Sequence, residues 1–391
     1  MSFLLLANIL ALLLSFFVVG TILGAVFSKP LRKKLVTLLH LEHFEHRAHA
    51  LLLKKSSRNP IMKPGTNPWT AEAVLNPAAI ALGGRTHLIY RAIGADGVSR
   101  LGYASSPDGI VFDERLPYPV YAAPHAGGVP EHKRRYSPMM YPSGGSWGGC
   151  EDPRMVAIDG RVYVTFNMFD NWLLRVGVIS MSEEDFLAKR FYKWEGPYII
   201  SNSDREKNWM LFPEKIGGKF AVLTGIIDPD ENRVHIEYTD DLKTLSQATF
   251  KAIDPQKVPN KKIAWHVRVR SAGPPPIKTD RGWLVLYHAH DAEEGGRYKL
   301  GAMLLDLDDP TRVLHRSPMP VLSPTAQYEN DGKPGIVYAC GAVVRKGKLY
   351  VYYGAADKVI GVATTSLDSF LDALVSGHQP SLETTLPTQT A

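Results

Sequence analysis

Glu151-Asp152-Pro153-Arg154 puts two carboxylates, a proline and a guanidinium into four consecutive residues. Such a run can project a carboxylate at a fixed angle. The proline predicts an extended backbone at Asp152, removes the next amide donor and stiffens the chain that follows. On an alternating strand Arg154 would pair with Glu151 while Asp152 faces a channel. An Asp-Pro ahead of a strand is usually only a turn. Arg91, Asn167, His288 and Asp357 alter that reading, because each ends a strand at a corresponding point of a repeat. A carboxylate gathered with such polar partners makes the run a candidate for chemistry on a small molecule instead of a plain turn.

The elements that must position these residues recur five times after residue 75. Each repeat has a short apolar run, a tight Gly turn, an aromatic strand, a third strand with small residues and an acidic turn. The aromatic strands start at Gly84, Gly160, Gly218, Gly282 and Gly347, and the acidic turns fall at Asp108, Asp185, Asp241, Asp308 and Asp368. A Gly turn followed by a returning aromatic strand is a hairpin signal. Five such sheets around an axis predict an all-β, five-bladed β-propeller over residues 66–376. Loops entering the inner strands then converge on one mouth. They carry Asn76-Pro77, the Glu151–Arg154 run, Leu211–Lys215, Gly273–Pro276 and Ala339–Gly341. Polar groups meeting from several blades make the geometry of a small-molecule site.

Outside the repeats the chain has a different character. Residues 3–27 are apolar and uncharged, long enough for a transmembrane helix of roughly 20 residues. Lys29, Arg32, Lys33 and Lys34 follow at once, which predicts a single-pass membrane anchor with the large domain on the cytoplasmic side. Residues 28–60 read as a basic amphipathic linker helix able to lie on anionic lipid. Between residues 29 and 58 there are eight Lys or Arg and two Glu, which accounts for the whole formal charge of +6. The rest is balanced, so nucleic acid is not expected as a partner. His40, His43, His46 and His49 recur at steps of three, drift around the helix and have no Cys beside them; a solvated face is expected, and no metal site. Cys150 and Cys340 are too few for a disulfide framework. Residues 377–391, rich in Ser, Thr, Pro and Gln, read as a disordered tail.

Glu-Asp-Pro-Arg, Leu-Phe-Pro-Glu-Lys, Gly-Pro-Pro-Pro-Ile, Tyr287-His288, Tyr298–Ala302, Leu305–Pro310 and Tyr353–Asp357 follow one another in the order of a known family. In these motifs the chain resembles glycoside hydrolase family 130, five-bladed propellers that include β-mannoside phosphorylases. The resemblance implies a carbohydrate-active enzyme in which Asp152 is the general acid and inorganic phosphate, a co-substrate, attacks the anomeric carbon with inversion. No cofactor is implied. One carboxylate and a cationic cradle then replace the two carboxylates of an inverting hydrolase. Asn76, Arg91, His288, Tyr298 and Asp357 match positions associated with sugar binding. The product expected from a β-mannoside is mannose 1-phosphate.

The phosphate cradle departs from the family pattern. Where phosphorylase-like relatives carry a His-Arg pair, the stretch here reads Ala221-Val222-Leu223-Thr224-Gly225. Arg268 and Arg270, on one face of an extended run, with Lys207 and Arg205, are the replacements. Two further readings stand beside phosphorolysis. One is an inverting β-mannosidase using Glu237 or Glu214 as base, and the other a membrane-tethered carbohydrate-binding propeller without activity. Residues 113–147 form an insertion that would roof the site for the departing sugar.

Overall fold

In the computed structural model the described residues are 51–376, apart from 124–134, 142, 171, 227–233, 248–264, 292–293 and 295, and without the side chains of 226, 267, 268 and 291. The expected segment 3–27, most of the expected helix 28–60, and the tail 377–391 lie outside them. The expected membrane-anchored, cytoplasmic placement is corrected here: among the described residues no helix is long and apolar enough to cross a membrane. An amphipathic pattern also gives way within its own expected bounds. Lys54–Lys55, inside the stretch read as helix, is a strand, β1, whose partner lies at the far end of the chain.

The described residues are mostly β-sheet, in five antiparallel units. The first comprises β2 (Ala73–Leu82), β3 (Arg85–Ile93), β4 (Val98–Ser106) and β5 (Glu114–Arg115). The second comprises β6 (Gly148–Ile158), β7 (Arg161–Phe169), β8 (Leu174–Ser182) and β9 (Glu195–Ile199). A two-residue parallel pairing of β4 with β6, Val98 to Gly148 and Ser99 to Gly149, joins these units. The third is β10 (Met210–Leu211), β11 (Phe220–Ile226) and β12 (Val234–Thr239). The fourth holds β13 (His266–Ala272), β14 (Ile277–Thr279), β15 (Gly282–Asp291), β16 (Tyr298–Leu305) and β17 (Val313–Arg316). The fifth runs β18 (Val337–Arg345), β19 (Lys348–Ala355), β20 (Val359–Ser366) and then β1, so a strand from before the repeats completes the last sheet. Two short helices, α1 (Glu183–Leu187) and α2 (Leu367–Ser376), follow β8 and β20.

Turn chemistry explains the hairpins. Gly83-Gly84, Asp159-Gly160, Gly217-Gly218 and Lys346-Gly347 all have positive φ at both positions. That is the signature of two-residue turns whose twist matches the flanking strands, and glycine supplies the second position without a steric cost.

Apolar clusters lie between neighbouring units. Ile89 and Tyr103 of the first pack with Val164 and Phe166 of the second. Val156 and Val176 of the second meet Leu211 and Val222 of the third. Met210 and Leu223 meet Val285 and Met303 of the fourth, and Leu88 meets Val343 and Tyr352 of the fifth. Each fully buried side chain of this kind contributes about 1.5–3 kcal/mol. Contacts run from β2 to β6, β6 to β10, β11 to β13, β16 to β18, and β18 back to β2. The β1 strand is pinned by Lys55, which ion-pairs with the fully buried Glu329. Glu329 also accepts from the Tyr353 hydroxyl at 2.9 Å and from the Ala326 amide at 2.7 Å.

Candidate active site

The first strands of the first two units are interrupted where chemistry is expected. The β2–β3 register shifts between Leu75 and Ala78, and the β6–β7 register between Glu151 and Arg154. The bulged residues Asn76 and Asp152 have φ of 48° and 49°. Asn208 and Asp357 share this left-handed backbone, at 64° and 53°. A bulge re-aims one side chain out of the strand's alternation, and these four residues all line one cavity of about 400 Å³. The extended backbone expected at Asp152 from its following proline is therefore corrected. Side-chain hydrogen bonds and the bulge outweigh the local preference.

Asp152 Oδ1 accepts from Asn76 Nδ2 at 2.7 Å and from Arg91 Nη1 at 3.2 Å. The expected Arg154–Glu151 pair is also corrected. Arg91, from β3, is the partner of Glu151, with Nη2 to Oε1 at 2.9 Å. Arg154 instead donates to the Asp152 carbonyl at 2.7 Å and the Gly273 carbonyl at 3.1 Å, which ties the Asp152 backbone to the fourth unit. Ser143 and Ser146 complete Glu151, their hydroxyls donating to it at 2.8 and 3.1 Å. Arg91 also donates to the Ser99 hydroxyl and the Ser143 carbonyl, so this buried guanidinium is fully engaged. Gly354 makes room for the arrangement: a Cβ there would lie 2.0 Å from Asn76 Oδ1.

Proton affinities divide between the carboxylates. Burial raises that of Asp152, but Arg91 and Arg154, with the hydrogen bond from Asn76, overcome it and hold the group below the usual carboxylate range. Burial dominates at Glu151 and, with the neighbouring Asp152 charge, pushes it up despite Arg91. Burial also raises Asp357, against the pull of Lys333, whose Nζ is 3.4 Å away, and of Arg91. Negative charge is therefore favoured on Asp152 over Glu151 and Asp357.

Tyr298 and Asp357 line the cavity with Asn76, Arg91 and Asp152. His288 lies one layer behind, fully buried. Its Nε2 accepts from the Ala339 amide at 2.9 Å, so Nδ1 carries the proton and donates to the Ser271 hydroxyl at 3.2 Å. Its ring stacks on Tyr338 at 3.9 Å between centroids. Ser271 and Tyr338 both face the cavity, so His288 positions them. Burial, then the Arg154 charge, lowers the His288 pKa to about 3. Its depressed value gives a contribution to stability that is complete above the ordinary value of about 6.5 and lost as pH falls toward 3. Nuclear magnetic resonance of the imidazole should show a neutral ring from pH 8 to 5. A midpoint near 6.5 would contradict this packing.

Lys207 and Arg270 line the main cavity and also a side pocket of about 160 Å³ that adjoins it. Asn208, Thr224, Gly225 and Ser271 form more of that pocket's wall. The Arg270 guanidinium lies 5.8 Å from the Tyr298 ring centroid. Arg268 is on β13 opposite His290, and its side chain lies outside the described residues. Glu214 is paired with Lys278 at 2.5 Å, Glu237 is beside His235 at 3.5 Å, and neither is among the described residues lining the cavity. The linear pattern missed Asn208, Ser271, Lys333 and Tyr338, which come from loops and strand ends with no repeated position.

The family profile of glycoside hydrolase family 130, described as beta-1,4-mannooligosaccharide phosphorylase, matches residues 52–376. The chain is similar to a 1,2-beta-oligomannan phosphorylase of Thermoanaerobacter sp., 38% identical over 320 residues, covering 80% of this chain and 96% of the relative. A beta-1,2-mannobiose phosphorylase of the same organism is 34% identical, with coverage of 80% and 96%. Among solved structures, the beta-1,2-mannobiose phosphorylase of Listeria innocua, in complex with beta-1,2-mannobiose, matches in fold. Its TM-score is 0.59 at 22% identity, over 82% of this chain and 99% of that one.

Proposed function

This chain belongs to glycoside hydrolase family 130, and from that premise we propose that it phosphorolyses β-mannosides with inversion, releasing mannose 1-phosphate. The observation that carries this reading is one carboxylate, Asp152, held by Arg91 and Asn76 in a cavity that opens beside two cations, Lys207 and Arg270. The five antiparallel units and their cyclic contacts support a five-bladed propeller over 66–376, with β1 added to its last sheet and the cavity at its mouth. β-1,2-Linked manno-oligosaccharides are the first substrates to try, since two relatives that match 80% of this chain are named for that linkage.

In the proposed reaction, mannose lies against Asn76, Arg91, Tyr298 and Asp357. Asn76 Oδ1 is buried without a partner among the described residues, which leaves an acceptor for a sugar hydroxyl. Phosphate occupies the cradle of Lys207, Arg270, Asn208 and Ser271, with Thr224 at its edge. Its oxygen forms a bond to the anomeric carbon as the bond to the glycosidic oxygen breaks, and the Asp152 proton passes to the departing oxygen, directly or through a sugar hydroxyl. Arg91 and Arg154 favour the carboxylate form of Asp152, so it takes up a proton before it donates one. An arriving phosphate anion favours this twice: its negative charge offsets Arg91 and Arg154, and its monoanion carries a transferable proton.

Consumption of β-1,2-mannobiose should require phosphate. Equal consumption with and without it would overturn the reading. Lys207→Ala and Arg270→Ala should each raise the KM for phosphate about ten- to a hundredfold, the worth of one charge-assisted hydrogen bond, with a smaller effect on the KM for the mannoside. Initial-rate kinetics with each substrate varied in turn checks this. Effects confined to the mannoside would remove the two cations from the cradle.

A further inference from the structure

Trp172 is 81% exposed, which leaves both faces of the largest aromatic side chain open to stacking. It lies in the turn between β7 and β8, and the residues at the two ends of that hairpin, Phe169 and Leu174, line the cavity with Asn167. The turn is held in place. Asp170 Oδ1 accepts from the amides of Trp172 at 3.1 Å and Leu173 at 2.8 Å. The Leu174 amide donates to the Asp204 carbonyl at 2.9 Å, and Arg175 ion-pairs with the Asp204 side chain. Trp172 thus stands on a braced turn whose two flanking residues, Phe169 and Leu174, belong to the wall of the site.

We propose that Trp172 is a binding platform for the third and later sugar residues of a β-linked manno-oligosaccharide, and that it sets the enzyme's preference for chain length. This rests on the β-mannoside reading above. A cavity of about 400 Å³ is of a size for two hexose rings and the attacking phosphate, so a third ring has to leave it past the rim. A pyranose offers a face of C–H groups, weakly positive, and the indole face is negative and apolar, so the two stack in the way aromatic edges and faces do. Purely aliphatic partners fit less well, because the groups that brace this turn, Asp170, Asp204 and Arg175, are polar and can hydrogen-bond the hydroxyls that edge such a ring. Trp172 does not touch the reacting atoms and acts on specificity alone.

The test uses the full chain, Trp172→Ala and Trp172→Phe, with β-1,2-linked mannobiose, mannotriose and mannotetraose at saturating phosphate. Trp172→Ala should raise the KM for the tri- and tetrasaccharide about tenfold, leave mannobiose within twofold, and leave kcat within twofold for all three. Trp172→Phe should recover most of the loss. Calorimetric binding of mannotriose, wild type against Trp172→Ala, reads the same loss without turnover. A wild type that turns over no mannoside therefore defeats the β-mannoside reading alone, while unchanged mannotriose affinity, or an equal loss for all chain lengths, overturns the platform.

Discussion

Asp152→Asn is expected to lower kcat by about 10²- to 10⁴-fold, the usual worth of a positioned general acid, while mannoside binding stays within a few-fold of wild type. The amide keeps the shape of the side chain. Its oxygen can still accept from Asn76 Nδ2 and Arg91 Nη1, the two bonds that fix Asp152 Oδ1. What is lost is the group that takes a proton and gives it up. Because Asp152 is held below the ordinary carboxylate range by Arg91 and Arg154, the wild type should also lose rate as pH rises and phosphate becomes fully dianionic, having less proton to bring. Steady-state kinetics and calorimetric titration with mannobiose separate the two parts. A variant within tenfold of wild-type kcat would remove Asp152 from the mechanism.

Arg91→Met is expected to cost stability as well as activity. The substitution preserves bulk and removes the charge that Glu151 and Asp152 share, both within 3.2 Å of the guanidinium. Breaking a buried pair from one side leaves an uncompensated charge, typically a loss of about 3–5 kcal/mol. The loss is tempered if one carboxyl takes up a proton, and Glu151, already pushed upward by burial, is the one to do so. Arg91→Lys should recover little, since an ammonium cannot reach Ser99, Ser143, Glu151 and Asp152 together as the fork does. Urea denaturation measures the effect. A loss below about 1 kcal/mol would mean that the ion cluster contributes far less than its geometry implies.

Residue type and order carried the reading of Asp152, Arg91, Asn76 and Asp357 as neighbours, because each was placed at a strand entry or strand end of a repeating unit, whereas Tyr298 was legible only through the family resemblance. Backbone shape at those points was not legible in the same way. The proline after Asp152 argues for an extended residue, and only the cross-unit bonds from Asn76 and Arg91, with the Arg154 bond within the same strand, reveal why the bulge prevails. The partner of Glu151 was misread for a similar reason. Arg154 is near in sequence, whereas Arg91 reaches Glu151 across the junction of β4 and β6. His288 was visible as a residue of the site, but its place behind Ser271 and Tyr338 depends on packing between the fourth and fifth units. Lys333 and Asn208 belong to irregular loops, where no period marks a residue as inward-facing. The strand at Lys54–Lys55 was hidden by a local apolar pattern of helical period, and its pairing with β20 is a contact between distant parts of the chain.

The central claim is that phosphate, and not water, takes the mannosyl group from the face opposite the departing oxygen. Proton and phosphorus magnetic resonance of the wild-type reaction with β-1,2-mannobiose in phosphate buffer tests it directly, by following the first product as it forms. The expected product is the α-anomer of mannose 1-phosphate, one equivalent for each glycosidic bond broken. Free mannose formed at a rate indifferent to phosphate, or a β-configured phosphate ester, would contradict it.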